Sequence, residues 1–156
     1  MKKDLIFRLQ SEKIFTKKDL ESTDLINHFV LLDGQSSDRF FTRIGIWEDD
    51  FLFLALAYGL VIDNKGLDEH KCYCLNKQDW LKLLNEALKL VQFKTFQEMY
   101  DYVKSAKIGI HYEFSWMLDK DSEMVWNEKE EIKLMIEDLQ KWTTNVIKEE
   151  IEIWGL

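Results

Sequence analysis

Apolar and polar residues alternate most regularly between residues 108 and 118. Six apolar residues occupy every second position there: Ile108, Ile110, Tyr112, Phe114, Trp116 and Leu118. Because successive side chains of a strand point to opposite faces of the sheet, this pattern predicts a half-buried strand. Shorter β-branched and aromatic stretches predict further strands at residues 5–9, 39–47, 71–75 and 150–154.

Apolar residues at helical spacing predict helices in other parts of the chain. Their positions fit helices over residues 24–32, 80–91 and 95–106. Thr95 and Glu98 have the spacing of a capping box, in which each side chain binds the other residue's backbone N–H. The apolar run 51–62 follows three acidic residues, which favour a helix because they complement the positive end of its dipole. A buried strand remains the alternative for this run.

The last long element is predicted to be an amphipathic helix that ends near Lys148. From Ile132 to Ile147, the apolar residues lie within an arc of about 140° on a helix, which is wide enough to pack on a core. Glu150 would fall in the centre of that arc, where a buried charge is unfavourable. We therefore expect residues 150–154 to form a strand, with a continued helix as the alternative.

Together these elements predict an α+β fold class. We expect an antiparallel sheet of four or five strands, helices packed on at least one face, and a long C-terminal amphipathic helix. The length of 156 residues predicts a single globular domain, 1–156. Because 46% of the residues are apolar, the chain can fill a core without disulfides or metals.

The compartment is predicted from the apolar runs and the cysteines. The longest apolar run, residues 51–62, is shorter than the roughly 20 residues that span a membrane. The N-terminal residues lack the apolar stretch of an export signal. Two cysteines are too few for a disulfide framework. We therefore expect a cytoplasmic protein that does not contact a membrane.

The negative charge of the chain is concentrated near its C-terminal end. The formal net charge is −8, and residues 113–156 contain twelve acidic residues against five lysines, together with four of the six tryptophans. Charge steers the encounter with an oppositely charged partner, and buried aromatic residues supply binding energy. The pattern therefore predicts a basic protein partner, and it disfavours direct binding of nucleic acid.

The outer side of the last helix is the predicted partner-binding surface. Its acidic residues lie outside the apolar arc, Leu134 is the one apolar residue among them, and Trp142 lies at the edge of the arc. The predicted partner-binding residues are Glu130, Glu131, Leu134, Glu137, Asp138 and Trp142.

The predicted function is that of a non-enzymatic acidic inhibitor. In size, charge and aromatic content, the chain is similar to small acidic immunity proteins that block bacterial nuclease toxins by covering their phosphate sites. This similarity favours an immunity-type protein that is a monomer or homodimer. Three alternatives remain: a phage-type mimic of nucleic acid that inhibits a nucleic-acid enzyme, a small metal-dependent enzyme, and a subunit of an obligate oligomer.

The strongest candidates for metal ligands are His70, Cys72 and Cys74. On a strand, same-face neighbours are about 6.6 Å apart and the outer pair about 13 Å apart. Zinc holds its ligands at roughly 2.0–2.3 Å, so it could bind all three only if the chain bent sharply. The alternative is that both thiols are ordinary buried core groups. Glu48, Asp49 and Asp50 could bind Mg²⁺, but they are also expected at the start of a helix. We find no catalytic motif and predict no cofactor.

Overall fold

The computed structural model describes eight ranges of the chain. These are residues 14–15, 28–33, 41–47, 50–68, 71–110, 118, 122–147 and 149–155. In chain order, the strands are β1 (Ile14–Phe15), β2 (His28–Asp33), β3 (Phe41–Trp47), β4 (Cys72–Asn76) and β5 (Glu150–Gly155). The helices are α1 (Leu52–Val61), α2 (Lys77–Val91), α3 (Phe96–Ser105), α4 (Ser122–Asn127) and α5 (Lys129–Val146).

The described strands form one sheet in which every pairing is antiparallel. Their order across the sheet is β1-β3-β2-β5-β4, so β5 lies between β2 and β4. Leu31 of β2 is paired with Ile44 on one side and with Ile153 on the other. Leu31, Ile151 and Ile153 are completely buried. The alternation of residues 150–154 therefore places two isoleucines in the core and leaves Glu150 exposed.

The helix α1 is the most deeply buried helix of the described chain. Eight of its ten residues are buried, from Leu52 to Gly59. A helix that is apolar on all sides is stable only when other elements surround it. The helix α2 packs against both α1 and α5. None of the described helices is both long enough and apolar enough to cross a membrane.

Side chains cap the N-termini of two of the helices. Asn76 accepts a hydrogen bond from the backbone N–H of Asp79 at 2.7 Å at the start of α2. Thr95 accepts one from the backbone N–H of Glu98 at 3.2 Å at the start of α3. These bonds satisfy N–H groups that have no partner within the helix. The predictions of a helix at 80–91 and of one at 95–106 are confirmed.

A buried polar pair joins α2 to α5. The indole N–H of Trp80 donates a hydrogen bond to Thr143 Oγ1 at 2.8 Å, and that hydroxyl donates to the carbonyl of Leu139 at 2.7 Å. Trp80 and Thr143 are both completely buried. Because each buried polar group has a partner, the pair can fix the relative position of the two helices without a desolvation penalty.

The predicted fold class is wrong in its balance between helix and strand. We expected an antiparallel sheet of four or five strands with helices packed on at least one face, but the described chain is rich in helices, which contain more than twice as many residues as the strands. The helices α1, α2 and α5 also supply most of the buried core.

Two predicted elements also need correction. Residues 28–33, which overlap the predicted helix 24–32, form the strand β2, because pairing with β3 and β5 outweighs the local helix-start signals. The predicted strand 108–118 is not found where the structure describes it, at residues 108–110 and 118. The remainder of this stretch and the predicted strand 5–9 lie outside the described residues. The strands predicted at 39–47, 71–75 and 150–154 are confirmed, as are the helix at 51–62 and the long helix that ends before Glu150.

A close contact between two backbone segments explains why residues 108–110 do not form the predicted strand. The backbone N–H of Gly109 donates a hydrogen bond to the carbonyl of Asn64 at 2.6 Å. A Cβ atom on Gly109 would clash with the carbonyl oxygen of Lys65, and one on Gly66, which has φ +86°, would clash with the carbonyl oxygen of Gly109. This contact between two backbones requires glycine at both positions, so the segment docks on the 63–66 turn and not on a strand.

Candidate functional site

The long helix α5 is divided into a buried side and an outer side. Its buried side contains the residues that the apolar arc identified: Ile132, Met135, Ile136, Leu139, Trp142 and Thr143. Because this side packs on the core and on α2, the opposite side of the helix is the one that a partner can reach.

The outer side of α5 consists of one exposed apolar residue within a ring of carboxylates. Leu134 is 57% exposed, and it is the one exposed large hydrophobic residue in the described part of the chain. Residues three and four positions apart are neighbours on a helix surface. The four such neighbours of Leu134 are Glu130, Glu131, Glu137 and Asp138. We call Leu134 and these four residues the α5 acidic face.

The carboxylates of the α5 acidic face differ in their exposure. Glu130 and Glu131 are exposed, whereas Glu137 and Asp138 are half-buried. Where the structure describes the surroundings of this face, no lysine forms an ion pair with any of the four carboxylates. Lys129, the basic residue closest to them at the start of the helix, instead donates to the carbonyl of Phe93 at 3.1 Å. Lys133 and Lys141 lie three or four positions from these carboxylates on the same helix, so they partly offset the negative charge of this side without forming an ion pair.

Trp142 does not belong to this face. It is only 4% exposed and lies in the core between α5 and its neighbours. Its indole N–H has no hydrogen-bond partner among the described residues. The sequence placed it at the edge of the apolar arc, and packing against the core covers that edge. Five of the six predicted partner-binding residues are thus together on one side of α5, and the tryptophan is on the other.

The two cysteines lie on the exposed side of β4, and the expectation that they are buried is wrong. Cys74 donates a hydrogen bond from Sγ to Glu150 Oε2 at 3.4 Å. Partial burial, together with Glu150, raises the pKa of the Cys74 thiol to about 11. Burial first, and then Glu152, also raises the pKa of the Cys72 thiol. Both thiols are therefore protonated at neutral pH in the absence of a bound metal ion.

The predicted metal ligands are not brought together by the described structure. Among the residues that it describes, no group of three or more histidine, cysteine or acidic side chains could hold a metal ion. His70 lies outside the described residues, as do Glu48 and Asp49. Asp50 is buried just before α1, and the first turn of that helix contains no acidic residue.

Glu150 was not among the candidate site residues predicted from the sequence. It served there only to locate the end of the helix. The structure places its carboxylate on the exposed side of the sheet, next to Cys74 and one strand away from the edge. The alternation of residues 150–154 was the available signal, because it assigns Glu150 and Ile151 to opposite faces of a strand.

The candidate site is therefore an exposed surface of the described residues. It consists of the α5 acidic face, with Glu150 and the thiols of β4 as a second exposed polar region. Comparisons of the chain with protein-family models, with curated proteins and with solved structures found no match.

Proposed function

We propose that this protein is a non-enzymatic, immunity-type inhibitor that neutralises a basic, nuclease-like bacterial toxin. The α5 acidic face binds the cationic surface with which the toxin holds phosphate groups. The observation that carries the proposal is the exposed side chain of Leu134 at the centre of four carboxylates. Cytoplasmic residence, where such a toxin would reach nucleic acid, is part of the same proposal.

Charge and apolar contact have separate roles in this interaction. The four carboxylates increase the rate of encounter with a basic surface, and they can pair with arginine through two parallel hydrogen bonds. Leu134 supplies apolar area that leaves water on binding, which contributes about 1–2 kcal/mol. Binding energy concentrates in such central residues when surrounding polar groups exclude water. The arrangement therefore favours a specific complex over diffuse attraction between charges.

The proposal is tested by capturing partners from an extract of the native host. Immobilised wild-type protein is compared with a variant that carries Glu130→Lys and Glu137→Lys. The matched control carries Glu98→Lys and Asp101→Lys on α3, where both acids are exposed. Both variants change the net charge by the same amount. We expect a basic protein to bind the wild type and the control at low salt, to be released at high salt, and to be lost with the α5 variant.

A further substitution separates apolar contact from charge. Leu134→Ser keeps all four carboxylates and removes the apolar group at their centre. We expect the captured protein to dissociate about tenfold faster from this variant, because interface substitutions act mainly on the dissociation rate. If both α5 variants retain the same proteins as the wild type, the α5 acidic face is not the binding surface. Capture of a nucleic-acid enzyme of the host in place of a toxin would favour the phage-type mimic.

A further inference from the structure

The strand β4 is the last strand on its side of the sheet. In the described part of the chain, no strand pairs with the side of β4 that faces away from β5. Exposed edge strands usually carry charged residues, proline or a bulge that prevents pairing with another chain. The five residues of β4, CYCLN, include no charge and no proline, and they pair with β5 in a continuous register. Among the residues that the structure describes, this edge therefore has no pairing partner.

The hydrogen-bond pattern identifies the backbone groups that a further strand would meet. Just beyond β4, the N–H of Lys77 donates to the carbonyl of Glu149 at 2.7 Å. Bonded pairs alternate in an antiparallel ladder, so Tyr73 and Leu75 direct their backbone groups towards β5. Cys72 and Cys74 then direct theirs towards the open edge.

The side chains beside this edge are small and neutral, and a carboxylate lies behind them. Cys72 and Cys74 are exposed, and their raised pKa values keep both thiols uncharged at neutral pH. The exposed carboxylate of Glu150 lies on the same side of the sheet, within hydrogen-bond distance of Cys74. Neighbouring strands are about 4.8 Å apart, so a strand added at the edge would run about 10 Å from β5. A lysine or arginine on it could reach across Cys74 to Glu150.

We propose that the edge of β4 binds an extended basic segment of the protein partner by β-strand addition. The residues of that segment opposite Cys72 and Cys74 carry lysine or arginine, and their backbone groups complete the ladder. The basic character of the segment rests on the proposed function. A second copy of this chain is the less suitable occupant, because its net charge is also −8.

The probe is a capped, fluorescein-labelled peptide of seven alternating lysines and valines, whose binding is followed by fluorescence anisotropy. We expect it to bind the wild type, and a glutamate–valine peptide of the same length not to bind. Methylation of the amide nitrogens on one edge of the lysine–valine peptide should weaken binding at least tenfold, because it removes the ladder donors without changing charge. Equal binding of the methylated peptide would show attraction between charges alone and would overturn the proposal.

Substitutions in the protein test the same edge. Cys74→Pro removes an N–H that points to the open edge and leaves the bonds of Tyr73 and Leu75 to β5 in place. We expect it to weaken peptide binding at least tenfold relative to Cys74→Ser, with melting temperature as the check on folding. Glu150→Gln should weaken binding about threefold. If the proline variant does not fold, the binding of the methylated peptide to the wild type shows whether backbone hydrogen bonds at the β4 edge are needed.

Two further measurements distinguish binding at the β4 edge from binding at the α5 acidic face and from dimerisation. The α5 variant with Glu130→Lys and Glu137→Lys should bind the peptide as the wild type does, so loss of the α5 surface and loss of the β4 edge are distinguishable. Light scattering of the wild type should give a mass that Cys74→Pro does not change. A dimer that Cys74→Pro dissociates would identify a second copy as the occupant and would overturn our assignment.

Discussion

The helices α1 and α5 have similar local structure but differ in how much of their surface is buried. The side chains of α1 are buried on nearly every side, whereas α5 buries one side and leaves Leu134 and four carboxylates on the other. Neither helix has a side-chain cap at its N-terminus, so packing and not local capping holds both in place. Buried residues on both helices therefore maintain the fold, whereas the exposed residues on the outer side of α5 are not needed for it.

The largest expected effect is at the centre of α1. Leu54 is completely buried, so Leu54→Ala removes apolar contacts and leaves a cavity. We expect the free energy of unfolding to fall by about 2–5 kcal/mol. Urea denaturation followed by circular dichroism measures the change. A loss below about 1 kcal/mol would mean that α1 is not the rigid centre of the molecule.

An intermediate effect is expected on the buried side of α5. Thr143→Val leaves the indole N–H of Trp80 buried without its acceptor, and we expect a loss of about 1–3 kcal/mol. Thr144→Val is the matched control, because that neighbouring hydroxyl is exposed and donates only to the carbonyl of Gln140. The control should change stability by less than about 0.5 kcal/mol. Equal losses in the two variants would remove the distinction between the sides of α5.

The smallest effect on stability is expected at the α5 acidic face. Leu134→Ala makes the same chemical change as Leu54→Ala at a site that is 57% exposed. We expect the free energy of unfolding to change by less than about 0.5 kcal/mol, since the side chain leaves no cavity. The same urea titration measures it. A large loss of stability would show that Leu134 supports the fold and would weaken its assignment to a partner.

The sequence predicts those parts of the fold whose signals are local. The helices that begin after Asn76 and Thr95 follow from their caps and their apolar spacing, because both act within a few residues. The strand β2 could not be assigned in this way, since its pairing partners β3 and β5 lie elsewhere in the chain. The docking of Gly109 against Lys65 is likewise a contact between distant residues.

In the candidate site, too, the features set by nearby residues could be predicted from the sequence, whereas those set by distant contacts could not. Leu134 and its acidic neighbours follow from helical spacing alone, because the helix itself brings them together. Trp142 lay at the boundary of the apolar arc, where only the packing of neighbouring elements decides between burial and exposure. The exposure of Cys72 and Cys74 depends on the place of β4 at the edge of the sheet, which no property of the residues themselves reveals.

The place of β5 between β2 and β4 has a consequence for folding during synthesis. The hairpin of β2 and β3 can form as soon as residue 47 has left the ribosome, since its residues are close in sequence. β4 has no place in the sheet until β5 emerges, more than 70 residues later, because β5 is its described pairing partner. Pairings between distant residues form slowly. During this interval the unpaired β4 can pair with strands of other chains. A chaperone or an early-bound partner that covers β4 at this stage would therefore have the largest effect on the yield of folded protein.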